Sequence, residues 1–232
     1  MKKQTIIAIG NGGFNIAQDL ISDEIFPEHA LIVVDTSKED LERNSECADK
    51  SFFVEPFSTN KKVRADLTGM VDNIIDETTD TVIVCASLGG KTGSKYAPLI
   101  ALDAILKGKF VCSLFSMPFT FEGKKKWNVA DNSKMQLIAS SNMTIVQDND
   151  RLSDIEPELN FGELNKPIID TLKSIMSSLS LKEGSEIKDR QQLEDLIPLK
   201  YRLSGMPLIQ IYDDCYAGIT VEKRKELFND LS

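Results

Sequence analysis

The residues of this chain best suited to chemistry lie between positions 86 and 95, where Gly89, Gly90 and Gly93 stand among Lys91, Thr92, Ser94 and Lys95. The apolar, β-branched run Thr81-Val82-Ile83-Val84-Cys85 precedes them, and a helix-forming segment follows. Glycines allow the backbone to come close to a ligand, and Thr92 and Ser94 add hydroxyl donors. A turn from a buried strand into a helix N-terminus offers unpaired N–H groups and the positive end of the helix dipole. Such a loop suits an anion, and the simplest candidate is a nucleotide phosphate.

A second glycine cluster, Gly10-Asn11-Gly12-Gly13-Phe14-Asn15, follows the first apolar run, and Asp35 follows the second. Gly-x-Gly with a downstream acid invites a dinucleotide reading and hence a nicotinamide-dependent oxidoreductase. The third glycine is missing at its spacing, and no catalytic acid or substrate domain accompanies the pair. The alternative for this cluster is a tight turn and nothing more.

These residues need a scaffold, and the hydrophobic pattern supplies one. Strands are expected at 4–10, 30–34, 51–54, 81–86, 109–113 or a little beyond, and 143–147. Helices are expected at 14–22, 37–43, 62–77, 96–107 and 124–140. Ser37 is placed to cap its helix, with Asp40 completing a capping-box spacing. Short continuous apolar strands separated by helices predict an α/β fold, a doubly wound and mainly parallel sheet flanked by helices. In such a sheet the polar turns at 10–15, 35–37, 86–95 and 148–151 converge at the strands' carboxyl ends.

Beyond Arg151 a long helix is expected from 165 to about 181, with Ile168, Ile169, Leu172, Ile175, Met176 and Leu179 on its apolar face and Pro167 in its first turn. A short helix at 190–197, a strand at 206–212 and an amphipathic helix at 221–231 complete the pattern.

Composition narrows the function classes. Of 232 residues, 41% are hydrophobic and 27% charged, with a net charge of −9, so the chain is globular and poorly suited to a nucleic-acid backbone. Lys124-Lys125-Lys126 is a compact basic run. No apolar run approaches the roughly 20 residues that span a bilayer, so no membrane span is expected. The opening Met1-Lys2-Lys3-Gln4-Thr5 lacks a signal peptide's apolar core. Four cysteines without pairing spacing fit a reducing cytoplasm, and Cys85 and Cys112, inside apolar runs, read as buried small hydrophobes. No metal-ligand pattern surrounds the sole histidine, His29.

Three motifs, in order, carry a family resemblance. Gly89-Gly90-Lys91-Thr92-Gly93-Ser94 resembles the Gly-Gly-x-Thr-Gly-[Ser/Thr] signature of tubulin and FtsZ. Pro118-Phe119-Thr120-Phe121-Glu122-Gly123 resembles FtsZ's Pro-Phe-x-Phe-Glu-Gly, and Asn149-Asp150-Arg151-Leu152 its Asn-Asp-[Arg/Lys]-Leu. The match extends over about residues 5–189 and implies a GTPase domain of that fold.

The resemblance also implies roles. Gly10, Asn11, Gly12, Gly13 and Asn15 would form the first phosphate loop, and Gly89, Gly90, Lys91, Thr92, Gly93 and Ser94 would cradle the α- and β-phosphates. Glu122 and Lys126 would hold the ribose. Asn149 would bind guanine, Phe161 would stack on it, and Asn165 would read its Watson–Crick edge. GTP or GDP is the implied ligand, with Mg²⁺ accompanying GTP. Self-association, or assembly with another FtsZ-like protein, is the implied partnership.

Departures from the family concern hydrolysis and assembly. The first glycine loop is short. Pro56-Phe57-Ser58-Thr59-Asn60-Lys61-Lys62 stands where the family has a glycine-rich γ-phosphate loop. Glu186 and Asp189 are the nearest counterparts of the family's Asn-x-Asp-x-x-Asp catalytic acids. Only about forty residues follow where FtsZ has a second domain, so the expected division is a GTP-binding domain over 1–182 and a short appendage over 183–232. A slow or assembly-dependent GTPase of a cytoskeletal or division system is expected, the alternative being a non-hydrolysing degenerate paralogue that acts as a binding or interaction module.

Overall fold

The computed structural model describes residues 3–24, 26, 28–55, 72, 75, 79–158, 160–180, 190–202 and 208–213. Its strands are β1 (Lys3–Ile9), β2 (His29–Asp35), β3 (Lys50–Phe53), β4 (Thr79–Ser87), β5 (Phe110–Met117), β6 (Met143–Asp148) and β7 (Ile209–Asp213). Helices among the described residues are α1 (Gly10–Ser22), α2 (Lys38–Ser45), α3 (Gly93–Leu106), α4 (Lys124–Ala139), α5 (Asn149–Ile155), α6 (Lys166–Ser180) and α7 (Arg190–Asp195). The strands form one sheet in the order β3-β2-β1-β4-β5-β6-β7, parallel except for β7, which runs antiparallel to β6. The chain winds outward from β1 to β3 and then restarts at β4 on the other side of β1. That reversal makes β1–β4 the switch point where parallel sheets open a crevice.

Side-chain alternation along each strand divides the core between the two faces of the sheet. Ile6, Ala8, Leu31, Val33, Ile83, Cys85 and Leu114 share one face with α1 and with Ile168, Ile169, Leu172 and Ile175 of α6. Ile7, Ile9, Ile32, Val34, Val82, Val84 and Phe115 share the other with α3 and α4. Burial on both faces is why these strands read as continuous apolar runs rather than alternating ones.

Several boundaries depart from the sequence pattern. Helix α1 begins at Gly10 rather than Phe14, so β1 passes into it without a loop; Gly10 adopts φ +72°, which glycine tolerates. Helix α3 begins at Gly93 rather than Tyr96. Strand β5 runs on to Met117, because its serines are paired: Ser113 Oγ lies 2.7 Å from Ser141 Oγ, and Ser116 Oγ 2.8 Å from Ser87 Oγ. Helix α7 stops at Asp195, short of Ile197. Ser37 does cap α2, its Oγ accepting from Asp40 N at 3.2 Å. The helix expected at 62–77 lies outside the described residues except for Asp72, which is helical, and Ile75, which is buried. The helix expected at 221–231 also lies outside them, as does the start of the strand expected at 206–212.

Cys85 and Cys112 are buried, and Cys47 is exposed. Loss of hydration pushes the Cys112 thiol up from 9.0 to about 12. Burial, with Cys112 alongside, raises Cys85 as well. Both thiols therefore stay protonated and unreactive at pH 8. Iodoacetamide at that pH should label Cys47 of the native chain and leave Cys85 and Cys112 unlabelled, as read by peptide masses after digestion; rapid native labelling at either buried site would contradict this. Above pH 9 the unfolded thiols lose protons that the folded ones keep. Each buried thiol then lowers stability by about 1.4 kcal/mol per pH unit until its folded value is reached.

Candidate nucleotide site at the sheet switch point

The carboxyl ends of β1 and β4 bring the two glycine clusters together, and three of the six glycines lie in close contact with the end of β4. A Cβ on Gly12 would lie 2.4 Å from Ser87 Cβ, one on Gly13 2.2 Å from the Cys85 carbonyl oxygen, and one on Gly93 2.4 Å from the Ser87 carbonyl oxygen. The first turns of α1 and α3 therefore press directly on the end of β4. Gly89 adopts φ +90°, while a Cβ on Gly90 would meet nothing within 4 Å. Exposed backbone at Gly90, next to exposed Lys91, is the part of the loop open to a ligand.

The loop is held from behind. Ser94 is buried, and its Oγ accepts from Gly89 N at 2.7 Å, folding the loop back on itself. Thr92 Oγ1 donates to Asp35 Oδ1 at 3.2 Å and lies 2.6 Å from Thr36 Oγ1. Asp35 Oδ1 also accepts from Thr36 N and Ser37 N, at 2.6 and 3.0 Å, while Oδ2 is buried without a hydrogen-bond partner. Asp35 is thus a buried clamp between the end of β2 and the loop, only 3% exposed, and not the open sugar acceptor that a dinucleotide site requires. Asn11 Oδ1 accepts from Arg43 Nη2 at 3.1 Å and Asn44 Nδ2 at 3.3 Å, tying α1 to α2, and Asn15 is exposed.

Beyond the ends of β5 and β6 the other candidates assemble. Glu122 Oε2 pairs with Lys126 Nζ at 3.0 Å, and Oε1 accepts from Phe119 N at 2.9 Å. The Phe119 and Phe121 rings stack with centroids 4.9 Å apart. Asp150 fixes this loop by accepting from Thr120 N at 2.8 Å and from the Thr120 hydroxyl. In the Asn-Asp-Arg-Leu motif, Leu152 is core and Asp150 is the loop tie, while Asn149, 8% exposed, faces a polar cluster. Gln147 Nε2 donates to Asn149 Oδ1 at 3.0 Å and to the Leu164 carbonyl at 2.7 Å. Asn165 Nδ2 donates to Asp19 Oδ2 at 2.8 Å. The backbone of Phe161 opens a 3₁₀ turn, Phe161–Glu163, which Leu164 joins to Asn165, and its side chain lies outside the described residues. Glu186 and Asp189 also lie outside them.

Asp19, Thr36, Gln147 and the loop-tying role of Asp150 were not apparent from sequence. Thr36 and Asp150 lie in polar turns already expected at the strands' carboxyl ends, but nothing local gives their partners; Asp19 and Gln147 carry no local signal at all. Asp35 stood out only through the dinucleotide reading, and its buried clamp role comes from Thr92, far away in sequence. His29 Nδ1 lies 2.7 Å from the Phe26 carbonyl, a local structural bond. Among the described residues no group of three or more His, Cys, Asp or Glu gathers as a metal site.

Fold and site define a doubly wound α/β domain with a glycine loop, entering a helix N-terminus, beside the switch point of its sheet. The chain belongs to the Tubulin/FtsZ family, whose GTPase-domain model matches residues 3–157. It is 26% identical over 188 residues to the mitochondrial division protein fszA of Dictyostelium discoideum, covering 76% of this chain and 35% of that protein. To cell division protein FtsZ 1 of Pyrococcus horikoshii it is 37% identical over 83 residues, 36% of this chain and 22% of that one. The chain thus spans a minor part of these relatives' length. Among solved structures, the empty FtsZ dimer of M. jannaschii shares the fold with a TM-score of 0.64 at 19% identity, covering 85% of this chain and 61% of that one. A C-terminally truncated TubZ of Clostridium botulinum phage c-st gives 0.55 at 16% identity, over 99% and 97% of the two chains.

Proposed function

We propose that this protein binds GTP and GDP, and that it hydrolyses GTP slowly and only when a second protomer completes the site. The observation that carries this reading is the loop around Gly90, an open backbone cradle at the N-terminus of α3, held rigid by Thr92 and Ser94. Family membership supports a guanine nucleotide as the occupant. Phosphates would lie against Gly89, Gly90 and the first N–H groups of α3, with Lys91 adding charge. Glu122 and Lys126 would face the ribose, and Asn149, Phe161 and Asn165 the base. Mg²⁺ bound with GTP would take its ligands mainly from phosphate and water, offsetting charge on the β- and γ-phosphates.

Glu186 or Asp189 of a neighbouring protomer would position the attacking water. Residues 1–182 form the binding domain in this reading, with 183–232 as an appendage. The setting in this reading is the cytoplasm, in a cytoskeletal or division system. Separately, no helix among the described residues is long and apolar enough to cross a membrane. The second reading, a non-hydrolysing paralogue, is favoured by Pro56-Phe57-Ser58 in place of the family's γ-phosphate glycines.

Thermal unfolding with GTP, GDP, ATP or NAD should show stabilisation by the guanine nucleotides alone, about 2.7 kcal/mol at a hundredfold excess over Kd. No shift with GTP or GDP would end the reading. Phosphate release per protomer should rise with protein concentration, and Asp189→Ala should abolish it while leaving binding intact. A flat zero at every concentration selects the non-hydrolysing reading.

A further inference from the structure

We infer that Asp19, on α1, is the carboxylate that reads the base edge and makes the site selective for guanine, with Asn165 orienting it. This rests on the guanine-nucleotide reading above and assigns its specificity to a residue on a different helix.

Guanine presents two adjacent donors, N1–H and the 2-amino group. An amide offers one acceptor and opposes the second donor with its own N–H; a carboxylate accepts both, through charge-assisted bonds. In this structure Asn165 directs its N–H group at Asp19 Oδ2, at 2.8 Å. Asp19 is half-buried, one helical turn beyond Asn15, and no other side-chain hydrogen bond or ion pair reaches it among the described residues. Its second oxygen remains available.

The surroundings carry the same surplus of acceptors. Leu164, next to Asn165, accepts from Gln147, which also donates to Asn149 Oδ1, and Gln147 Oε1 is buried without a partner. A cluster short of donors suits a donor-rich edge. Adenine, with a lone pair at N1, would meet the Asp19 carboxylate with repulsion.

Isothermal titration of the full chain with GTP, ITP, XTP and ATP tests this. ITP lacks the 2-amino donor, and XTP carries a carbonyl there. The unaltered protein should bind GTP about tenfold more tightly than ITP, as expected for one charge-assisted hydrogen bond. Asp19→Asn presents one donor and one acceptor, so it should weaken GTP by about tenfold or more, close the gap between GTP and ITP, and raise XTP at least to the level of GTP. Asp19→Ala should close the same gap without gaining XTP. An unchanged GTP-to-ITP ratio in both variants, or an equal loss for all four nucleotides, would overturn the assignment while leaving guanine-nucleotide binding in place. Failure of the unaltered chain to bind GTP would instead overturn the reading beneath it, and the assignment with it.

Discussion

Gly13→Ala should lower the melting temperature by about 6–12 °C, the equivalent of roughly 3 kcal/mol for a domain of this size. The added methyl would lie 2.2 Å from the Cys85 carbonyl oxygen and 3.2 Å from Ala86 Cα. Both are backbone atoms of a central strand, paired on one side with β1 and on the other with β5. Neither can rotate away as a side chain would, so relief requires α1 to lift from the sheet. That movement would strip contacts from Phe14, Ile16, Ala17 and Leu20, which are buried against the same face. Differential scanning calorimetry gives the answer directly. A shift of less than about 2 °C would mean that α1 sits further from β4 than described here, since overpacking against backbone costs at least about 1 kcal/mol.

Gly90→Asp should do the reverse, leaving the fold within about 0.5 kcal/mol of its stability while removing nucleotide affinity. Gly90 has no positive φ, and a Cβ there meets nothing within 4 Å. A carboxylate on that backbone would confront the phosphates at close range, which costs about 3 kcal/mol, or roughly a hundredfold in affinity. Titration of a fluorescent GDP against both proteins measures it, with thermal unfolding in parallel. Retained affinity would place the phosphates elsewhere. Lost stability would mean that Gly90 is a packing residue like Gly13. The two variants together separate a glycine needed for close helix–strand contact from Gly90, where a side chain meets open space.

That separation was not available from the sequence. Gly12, Gly13, Gly90 and Gly93 are alike in composition and local setting, and each reads as a loop glycine. What distinguishes them is distance to β4, a strand that begins well over sixty residues after Gly12 and Gly13 in the chain. The helix starts were misplaced for the same reason. A glycine run looks like a turn locally, yet the first turns of α1 and α3 begin within those runs because they pack on the end of β4. Strand β5 was expected to end at Ser113 or a little beyond, and it runs on to Met117 with Ser113 and Ser116 inside it. Their hydroxyls are paired with Ser141 and Ser87, so burial costs little.

By itself the sequence determined the alternation of strands and helices, the parallel class of the sheet and the identity of the motif loops at its carboxyl edge. These follow from local periodicity and from short residue patterns, which need no knowledge of distant partners. Tertiary structure alone decided which side chains meet. Asp35 became a clamp through Thr92, 57 residues away, and Asn165 met Asp19 across 146 residues. Contacts of that span exist because the strand order folds α1, α6 and the glycine loop around one switch point, and no window of sequence contains both partners.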